Sequence, residues 1–224
     1  MFGTAFAASL AYLLAHTRGG GAPQPVMMAG GGSLHSKEAL TPDAGVEGLK
    51  VPLFTLTTSD GKTITRDALL GHITIVDFFF TRCTFVCPVL TQQLVDQSKA
   101  LRGTGVKLLS ISVDPGHETN ESLAAYAAEH VPKDIEPRVW TFTRGDKETI
   151  GAIVTGGLKF AVGEDPERTI RIEDGKTMAN IVHPPWFVLV GPKAEVLGIY
   201  KATDEEEMRA LTERARAAAG KLTK

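Results

Sequence analysis

Apolar residues are concentrated in a few short runs of the chain. His72–Phe80 and Val106–Val113 are almost continuously apolar or β-branched, which predicts strands buried on both faces. Trp186–Val190 predicts another strand, and a turn at Gly191 joins it to Val196–Tyr200. These runs supply the central strands of one sheet.

Helical periodicity appears between the strands. A helix is predicted from Pro88, since proline suits the first helical position, and a second over Thr119–His130. A last helix follows Thr203, which forms a predicted capping box with Glu206. Its apolar stripe is Met208, Leu211, Ala215 and Ala218.

The order of these elements defines the fold class. Strands alternate with helices and a terminal β-β-α unit follows, which predicts an α/β fold with a central mixed sheet flanked by helices. Phe54–Thr58 and the turn at Ser59–Lys62 predict an N-terminal β-hairpin. Sites in such sheets lie at the carboxyl ends of the parallel strands.

Three segments divide the chain. Residues 1–17 contain an uncharged apolar run, Phe2–Leu14, and are predicted to be a signal or membrane-anchor segment. Residues 18–48 are rich in glycine and proline and are predicted to be a flexible linker. Residues 49–224 then form the folded domain. This organisation predicts a periplasmic or otherwise extracytoplasmic protein, in contact with a membrane only through its N-terminal segment.

Composition narrows the choice of partners. Hydrophobic residues make up 43% and charged residues 22% of the chain, which are ordinary values for a globular domain. The formal net charge is −2 and the basic residues are scattered, so a nucleic acid partner is not expected.

The cysteines are the main candidates for chemistry. The chain has only two, Cys83 and Cys87, in the segment that joins a buried strand to a helix beginning at Pro88. A pair at this spacing can close a disulfide or hold one metal ion. The helix N-terminus and Arg82 should lower a thiol pKa here. Two thiolates are soft ligands that suit Cu(I), and such a site would need a third ligand.

A histidine is the best candidate for that third ligand. His183 directly precedes a buried strand, and Pro184-Pro185 should fix its position. His117, in Asp114-Pro-Gly-His117, also follows a strand and is a second possibility.

Asp77 stands out because it lies within a buried strand, six residues before Cys83. A buried carboxyl group has a raised pKa and can transfer protons, as in the similar Val-Asp-Phe pattern of thioredoxins. A purely structural, hydrogen-bonded Asp77 is an equal alternative.

Taken together, these motifs resemble the Sco (SenC) family of copper chaperones over residues 50–218. The matching features are the Asp60-Gly-Lys turn, Cys83-x-x-x-Cys87-Pro88, Ser112-Val-Asp114-Pro115, and His183 before Trp186-Phe-Val-Leu-Val-Gly-Pro. The resemblance implies a thioredoxin-like fold and copper bound by Cys83, Cys87 and His183. It also implies delivery of copper to the binuclear copper A centre of a cytochrome c oxidase subunit. This chain differs from the family pattern at Thr84, Val182 and Pro184.

Two other functions remain open. A thiol:disulfide oxidoreductase acting on a partner protein would use the same Cys83–Cys87 redox pair, with Asp77 transferring protons. A peroxidase of the peroxiredoxin type is suggested only by Thr81 close to Cys83, at the wrong spacing. Only the copper chaperone requires His183. A chaperone would also need a thiol reductant protein, because a disulfide offers no thiolate to a metal.

Overall fold

The computed structural model describes residues 35–36, 38–136, 138–171 and 175–223. The predicted signal or anchor segment, residues 1–17, lies outside the described residues, as does most of the predicted linker. No helix within the described ranges is long and apolar enough to cross a membrane.

The strands are β1 (Thr55–Thr58), β2 (Thr63–Thr65), β3 (Thr74–Phe79), β4 (Lys107–Ser112), β5 (Trp140–Arg144), β6 (Gly163–Arg171), β7 (Thr177–Val182), β8 (Trp186–Val190) and β9 (Val196–Lys201). Seven of them form one mixed sheet at the centre of the domain, in the order β2-β1-β5-β4-β3-β8-β9. A separate two-stranded sheet pairs β6 with β7.

Among the described residues, four α-helices accompany the strands: α1 (Cys87–Ala100), α2 (Asn120–His130), α3 (Lys147–Gly151) and α4 (Glu205–Leu222). A short 3-10 turn, Arg66–Leu69, follows β2, and a π-helical turn, Ala152–Gly157, follows α3. The predicted α/β class, the central mixed sheet flanked by helices and the N-terminal hairpin β1–β2 are confirmed.

The central strands are buried although they include polar side chains such as Thr74 and Asp77 of β3. All six residues of β3 are buried, and β3 pairs in parallel with β4, which pairs in parallel with β5. The predicted stripe on α4 is buried too, with Leu211 and Ala215 both at 0% exposure. The N-cap of α4 is Asp204, not Thr203 as predicted, since its side chain accepts hydrogen bonds from the backbone N–H groups of Glu206 and Glu207.

The sheet topology brings three loops to one edge. β3 and β4 are parallel, so the residues after Phe79 and after Ser112 lie at the same edge. β8 is antiparallel to β3, with Val76 opposite Val188, so β8 begins where β3 ends. The segment that precedes Trp186 therefore reaches the edge at which the cysteine loop begins.

The folded domain begins earlier than the sequence suggested. The prediction assigned residues 18–48 to a flexible linker, but Ala39, Asp43 and Val46 are buried against the domain. Asp43 pairs with the buried Arg214 of α4 at 2.5 Å, and its backbone N–H donates to the Leu197 carbonyl at 2.8 Å. The linker prediction is therefore wrong for residues 38–48, where one buried ion pair compensates for a low apolar content.

His35 fastens the start of this segment to α4. Its Nδ1 lies 2.7 Å from Asp43 Oδ2 and its Nε2 lies 2.8 Å from Glu207 Oε2, while the ring stacks on Tyr200 at 4.0 Å. A neutral imidazole can donate only one of these two hydrogen bonds, so the arrangement favours the imidazolium form. Burial lowers the pKa of His35, but the hydrogen bonds to Asp43 and Glu207 outweigh it and raise the pKa above 6.5.

We expect His35 to make stability depend on pH. Because its folded-state pKa is raised, its contribution is fully present below pH 6.5 and is lost as the pH rises through the folded-state pKa. His35→Phe, which keeps a ring against Tyr200, should lower the free energy of unfolding by about 1–2 kcal/mol at pH 6 and by less at pH 9. Urea unfolding at both pH values measures this difference. Lys221→Met, which removes an exposed ion pair to Glu38 in the same segment, is the control and should show no such change. A penalty that is equal at both pH values would contradict the charged state of His35.

Candidate metal centre

The cysteine loop leaves β3 and enters α1 within a few residues. The Cys83 N–H donates to the Phe80 carbonyl at 3.1 Å, which turns the chain away from the sheet. Cys87 is the first residue of α1 and Pro88 the second, so the helix begins one residue before the predicted start at Pro88. Both cysteines are free thiols and both are buried, Cys83 at 6% and Cys87 at 0% exposure.

The two thiols differ strongly in acidity. A hydrogen bond from the Cys87 thiol, helped by the backbone N–H groups of Cys87, Phe85 and Val86, lowers the pKa of Cys83 to about 6 despite its burial. The Cys87 N–H itself donates to Cys83 Sγ at 3.4 Å. The hydrogen bond to Cys83 and burial raise the pKa of Cys87 above its usual value. Cys83 is thus the thiolate at neutral pH and Cys87 the protonated thiol.

His183 lies beside the second cysteine. Its Nε2 is 3.7 Å from Cys87 Sγ, although the two residues are 96 positions apart in the chain. The ring is 6% exposed, and burial lowers the pKa of His183, which favours the neutral imidazole that a metal requires.

The second ring nitrogen of His183 has its own partner. Nδ1 lies 3.3 Å from the Pro184 carbonyl oxygen, so Nδ1–H can donate and leave the Nε2 lone pair facing Cys87. Metal-binding histidines need such an outer partner, which can be a carboxylate or a backbone carbonyl. The Pro184 carbonyl therefore supplies at this position what a neighbouring carboxylate would otherwise supply.

The structure brings Cys83 to Cys87 and Cys87 to His183. Across the described ranges, however, no three His, Cys, Asp or Glu side chains are yet gathered tightly enough to hold a metal ion. A three-ligand site would therefore require the side chains to close around the ion. His117 makes a different contact, since its Nδ1 lies 2.8 Å from Asp114 Oδ1 and its side chain is 40% exposed.

Asp77 lies in β3, opposite Ser110 of β4, and is 2% exposed. Among the described residues its Oδ1 has no hydrogen-bond partner. Burial raises the pKa of Asp77 to about 7, against a smaller opposing effect of a hydrogen bond from Ser110. A negative charge on Asp77 would in turn oppose ionisation of Cys87.

Three exposed apolar side chains lie in the chain immediately beside these residues. Phe85 sits between the two cysteines and is 53% exposed, Val89 follows Cys87 by two positions, and Val182 precedes His183. Exposed apolar side chains are the kind that a protein-binding surface uses.

Sequence reasoning missed two features around the cysteine loop. The hairpin β6–β7 leads directly into His183, but β6 is mostly exposed, β7 is only partly buried, and neither strand has an apolar alternation. The buried Glu118 accepts hydrogen bonds from Thr81, 37 residues away, and no sequence pattern signals a contact at that separation.

The fold and the site together define a class of protein. It is a thioredoxin-like domain that carries a dithiol and a histidine at one edge of its sheet. The family model described as SCO1/SenC matches residues 44–218. The chain therefore belongs to the SCO1/SenC family, as its motifs suggested.

Individual relatives agree with this assignment. The SCO1 protein homolog of Bacillus subtilis (strain 168) is 30% identical over 158 residues, which are 69% of this chain and 75% of the relative. The structure of BsSco, a member of the Sco family of cytochrome c oxidase assembly proteins in which a disulfide switch was identified, is 25% identical. The match covers 77% of this chain and 94% of the BsSco chain, with a TM-score of 0.61. The copper-bound structure of Bradyrhizobium japonicum ScoI, 22% identical, covers 74% of this chain and 99% of that chain with a TM-score of 0.60.

Proposed function

We propose that this chain is a copper chaperone that binds Cu(I) through Cys83, Cys87 and His183 and delivers it to the copper A centre of cytochrome c oxidase. The observation that carries the proposal is the 3.7 Å approach of His183 Nε2 to Cys87 Sγ. A purely redox dithiol has no need of an imidazole at that position.

The chemistry of the three side chains suits Cu(I). Thiolate sulfur is a soft ligand and imidazole is an accepted one, whereas hard oxygen donors would favour other ions. The low pKa of Cys83 provides one thiolate at neutral pH, and a bound metal would displace the proton of Cys87. His183 is already neutral and held by the Pro184 carbonyl.

Membership of the family supports the same role. B. japonicum ScoI has been solved with copper bound, and BsSco belongs to a family of cytochrome c oxidase assembly proteins. The partner is accordingly the oxidase subunit that carries the copper A centre. The exposed Phe85, Val89 and Val182 are suited to contact it.

A thiol reductant protein is a second partner. The disulfide form of Cys83 and Cys87 must take up two electrons and two protons before it offers thiolates to copper. The apolar segment at Phe2–Leu14 supports a location outside the cytoplasm, tethered to the membrane by that segment.

Copper titration tests the proposal. The reduced protein should bind one Cu(I) and the disulfide form none. His183→Ala should weaken binding by more than about tenfold in a competition titration and leave the disulfide able to form. His72→Ala, an exposed histidine at the opposite edge of the sheet, is the control and should bind like the unmodified protein. Equal affinity in His183→Ala and the unmodified protein would count against this ligand set.

A second candidate function is thiol:disulfide exchange, and the buried Asp77 favours it. Its pKa of about 7 is suited to proton transfer at neutral pH, and it lies near Cys87, the thiol that would have to lose its proton. Asp77→Asn should then slow exchange with a model disulfide at pH 7 and leave Cu(I) affinity nearly unchanged. Exchange at the unmodified rate would remove the structural reason for this second function.

A further inference from the structure

Glu118 is a buried carboxylate that belongs to none of the candidate ligands. It lies in the loop between β4 and α2 and is 6% exposed. Its Oε1 accepts a hydrogen bond from the Thr81 N–H at 2.7 Å, and its Oε2 accepts one from the Thr81 hydroxyl at 3.0 Å. The Ser122 hydroxyl lies 2.7 Å from the same Oε2. Burying a carboxylate costs free energy unless it is hydrogen-bonded, and these three hydrogen bonds compensate for that cost. The position of Glu118 therefore calls for an explanation.

The two bonds from Thr81 act at the start of the cysteine loop. Thr81 follows the end of β3 by two residues and precedes Cys83 by two. Glu118 therefore holds both the backbone and the side chain of the residue at which the loop leaves the sheet. Hydrogen bonds to a charged acceptor are roughly twice as strong as neutral ones, so this attachment is firm.

Glu118 is itself fixed from the other side. Thr119 caps α2, with the Ser122 N–H donating to Thr119 Oγ1 at 3.0 Å and the Thr119 N–H donating to Ser122 Oγ at 3.0 Å. The same Ser122 hydroxyl contacts Glu118. Helix α2 is in turn joined to α1 by a 2.6 Å hydrogen bond between Tyr126 and Thr91.

A neighbouring contact reinforces the attachment. Arg82, next to Cys83, donates from Nη1 to the His117 carbonyl at 2.8 Å. Two adjacent residues of the cysteine loop, Thr81 and Arg82, are thus bound by two adjacent residues of the β4–α2 loop, Glu118 and His117. The Arg82 guanidinium donates to the His117 carbonyl. The hydrogen bonds described for Glu118 come instead from the neutral N–H and hydroxyl of Thr81 and the neutral hydroxyl of Ser122.

We propose that Glu118 is a positioning residue that presets the Cys83–Cys87 loop for metal binding and for disulfide closure. For copper this inference rests on the proposed function, whereas for the disulfide it does not. Glu118 acts through Thr81, and its hydrogen bonds go to Thr81 and Ser122 and not to either sulfur. Without it the loop start becomes free to move, and the sulfurs spend less time at the required separation.

Two measurements on Glu118→Ala test the proposal. Its Cu(I) affinity should fall about 10–100-fold, as expected for loss of a residue that orients a ligand. The second measurement follows the reaction in which the dithiol and oxidised glutathione give the protein disulfide and two glutathione thiols. Its equilibrium constant should fall roughly tenfold, equivalent to about 30 mV.

Further variants grade and control the effect. Thr81→Val loses the hydrogen bond from the hydroxyl but keeps the one from the backbone N–H. Its Cu(I) affinity and its equilibrium constant with glutathione should therefore both fall, by smaller factors than in Glu118→Ala. Glu118→Gln retains a carbonyl oxygen for one of the two Thr81 donors and should restore part of each loss. Glu129→Ala removes an exposed carboxylate of α2 and should leave both quantities unchanged.

The outcomes separate positioning from plain stability. If Glu118→Ala lowers only the melting temperature and leaves both equilibria intact, Glu118 is structural and the proposal is overturned. If that variant does not fold, unchanged equilibria in Thr81→Val overturn the proposal equally. If the unmodified protein binds no Cu(I), the proposed function fails, and the glutathione equilibrium still decides the role of Glu118.

Discussion

Replacing either cysteine with serine is expected to abolish tight Cu(I) binding. Each substitution exchanges a soft sulfur ligand for a hard hydroxyl oxygen of similar size, which Cu(I) does not favour. Loss of an outer-shell partner already costs about 10–100-fold in metal affinity, so loss of a ligand should exceed about 100-fold.

Variants of the two cysteines should differ in their remaining thiol. In Cys87→Ala, which keeps no donor at this position, the remaining Cys83 loses the side-chain hydrogen bond that contributes most to its low pKa, so this pKa should rise from about 6. In Cys83→Ser the remaining Cys87 is relieved of its charged neighbour, so its raised pKa should fall. Competition titration and thiolate absorbance against pH measure both effects. A serine variant that keeps the full copper affinity would show that its sulfur is not a ligand.

Asp77→Asn is expected to stabilise the reduced protein at alkaline pH. The pKa of Asp77 is about 7 when folded against an ordinary 3.8, because burial disfavours the carboxylate. The folded state therefore holds the proton to higher pH than the unfolded state, and Asp77 lowers stability progressively as the pH rises from about 4 to about 7. Above that window the cost of an ionised Asp77 is about 4 kcal/mol.

Urea unfolding under reducing conditions measures this effect. At pH 8 Asp77→Asn should exceed the unmodified protein in free energy of unfolding by up to about 4 kcal/mol, and at pH 5 the difference should be much smaller. Asp96→Asn, on the exposed side of α1, is the matched control and should not change with pH in this way. A difference that stays constant from pH 5 to pH 8 would mean that the pKa of Asp77 is not raised in the folded protein.

Much of the fold could be predicted because its central strands coincide with short, mostly apolar runs in the sequence. β3, β4 and β8 were located to within two residues, since short runs rich in β-branched and aromatic residues, such as Ile73–Phe80, favour a buried strand. The hairpin β6–β7 was not predicted, because neither of its strands carries an apolar alternation. Residues 38–48 resembled a linker because their attachment depends on the Asp43–Arg214 pair, which spans 171 positions.

The candidate site was predictable to the extent that single residues have distinctive chemistry. Two cysteines beside a helix start and one histidine before a buried strand are visible in the sequence, and the antiparallel pairing of β8 with β3 explains why their loops meet. The Pro184 carbonyl and Glu118 were not predictable. One is a backbone group, and the other becomes informative only once Thr81 is known to lie beside it.

X-ray absorption spectroscopy of the Cu(I)-loaded protein is the most direct test of the proposed copper site. The proposed ligand set predicts two sulfur neighbours and one nitrogen neighbour, assigned to Cys83, Cys87 and His183. In His183→Ala the nitrogen contribution should disappear and both sulfur contributions should remain. A spectrum with sulfur neighbours alone in the unmodified protein, or one that His183→Ala leaves unchanged, would contradict the proposed site.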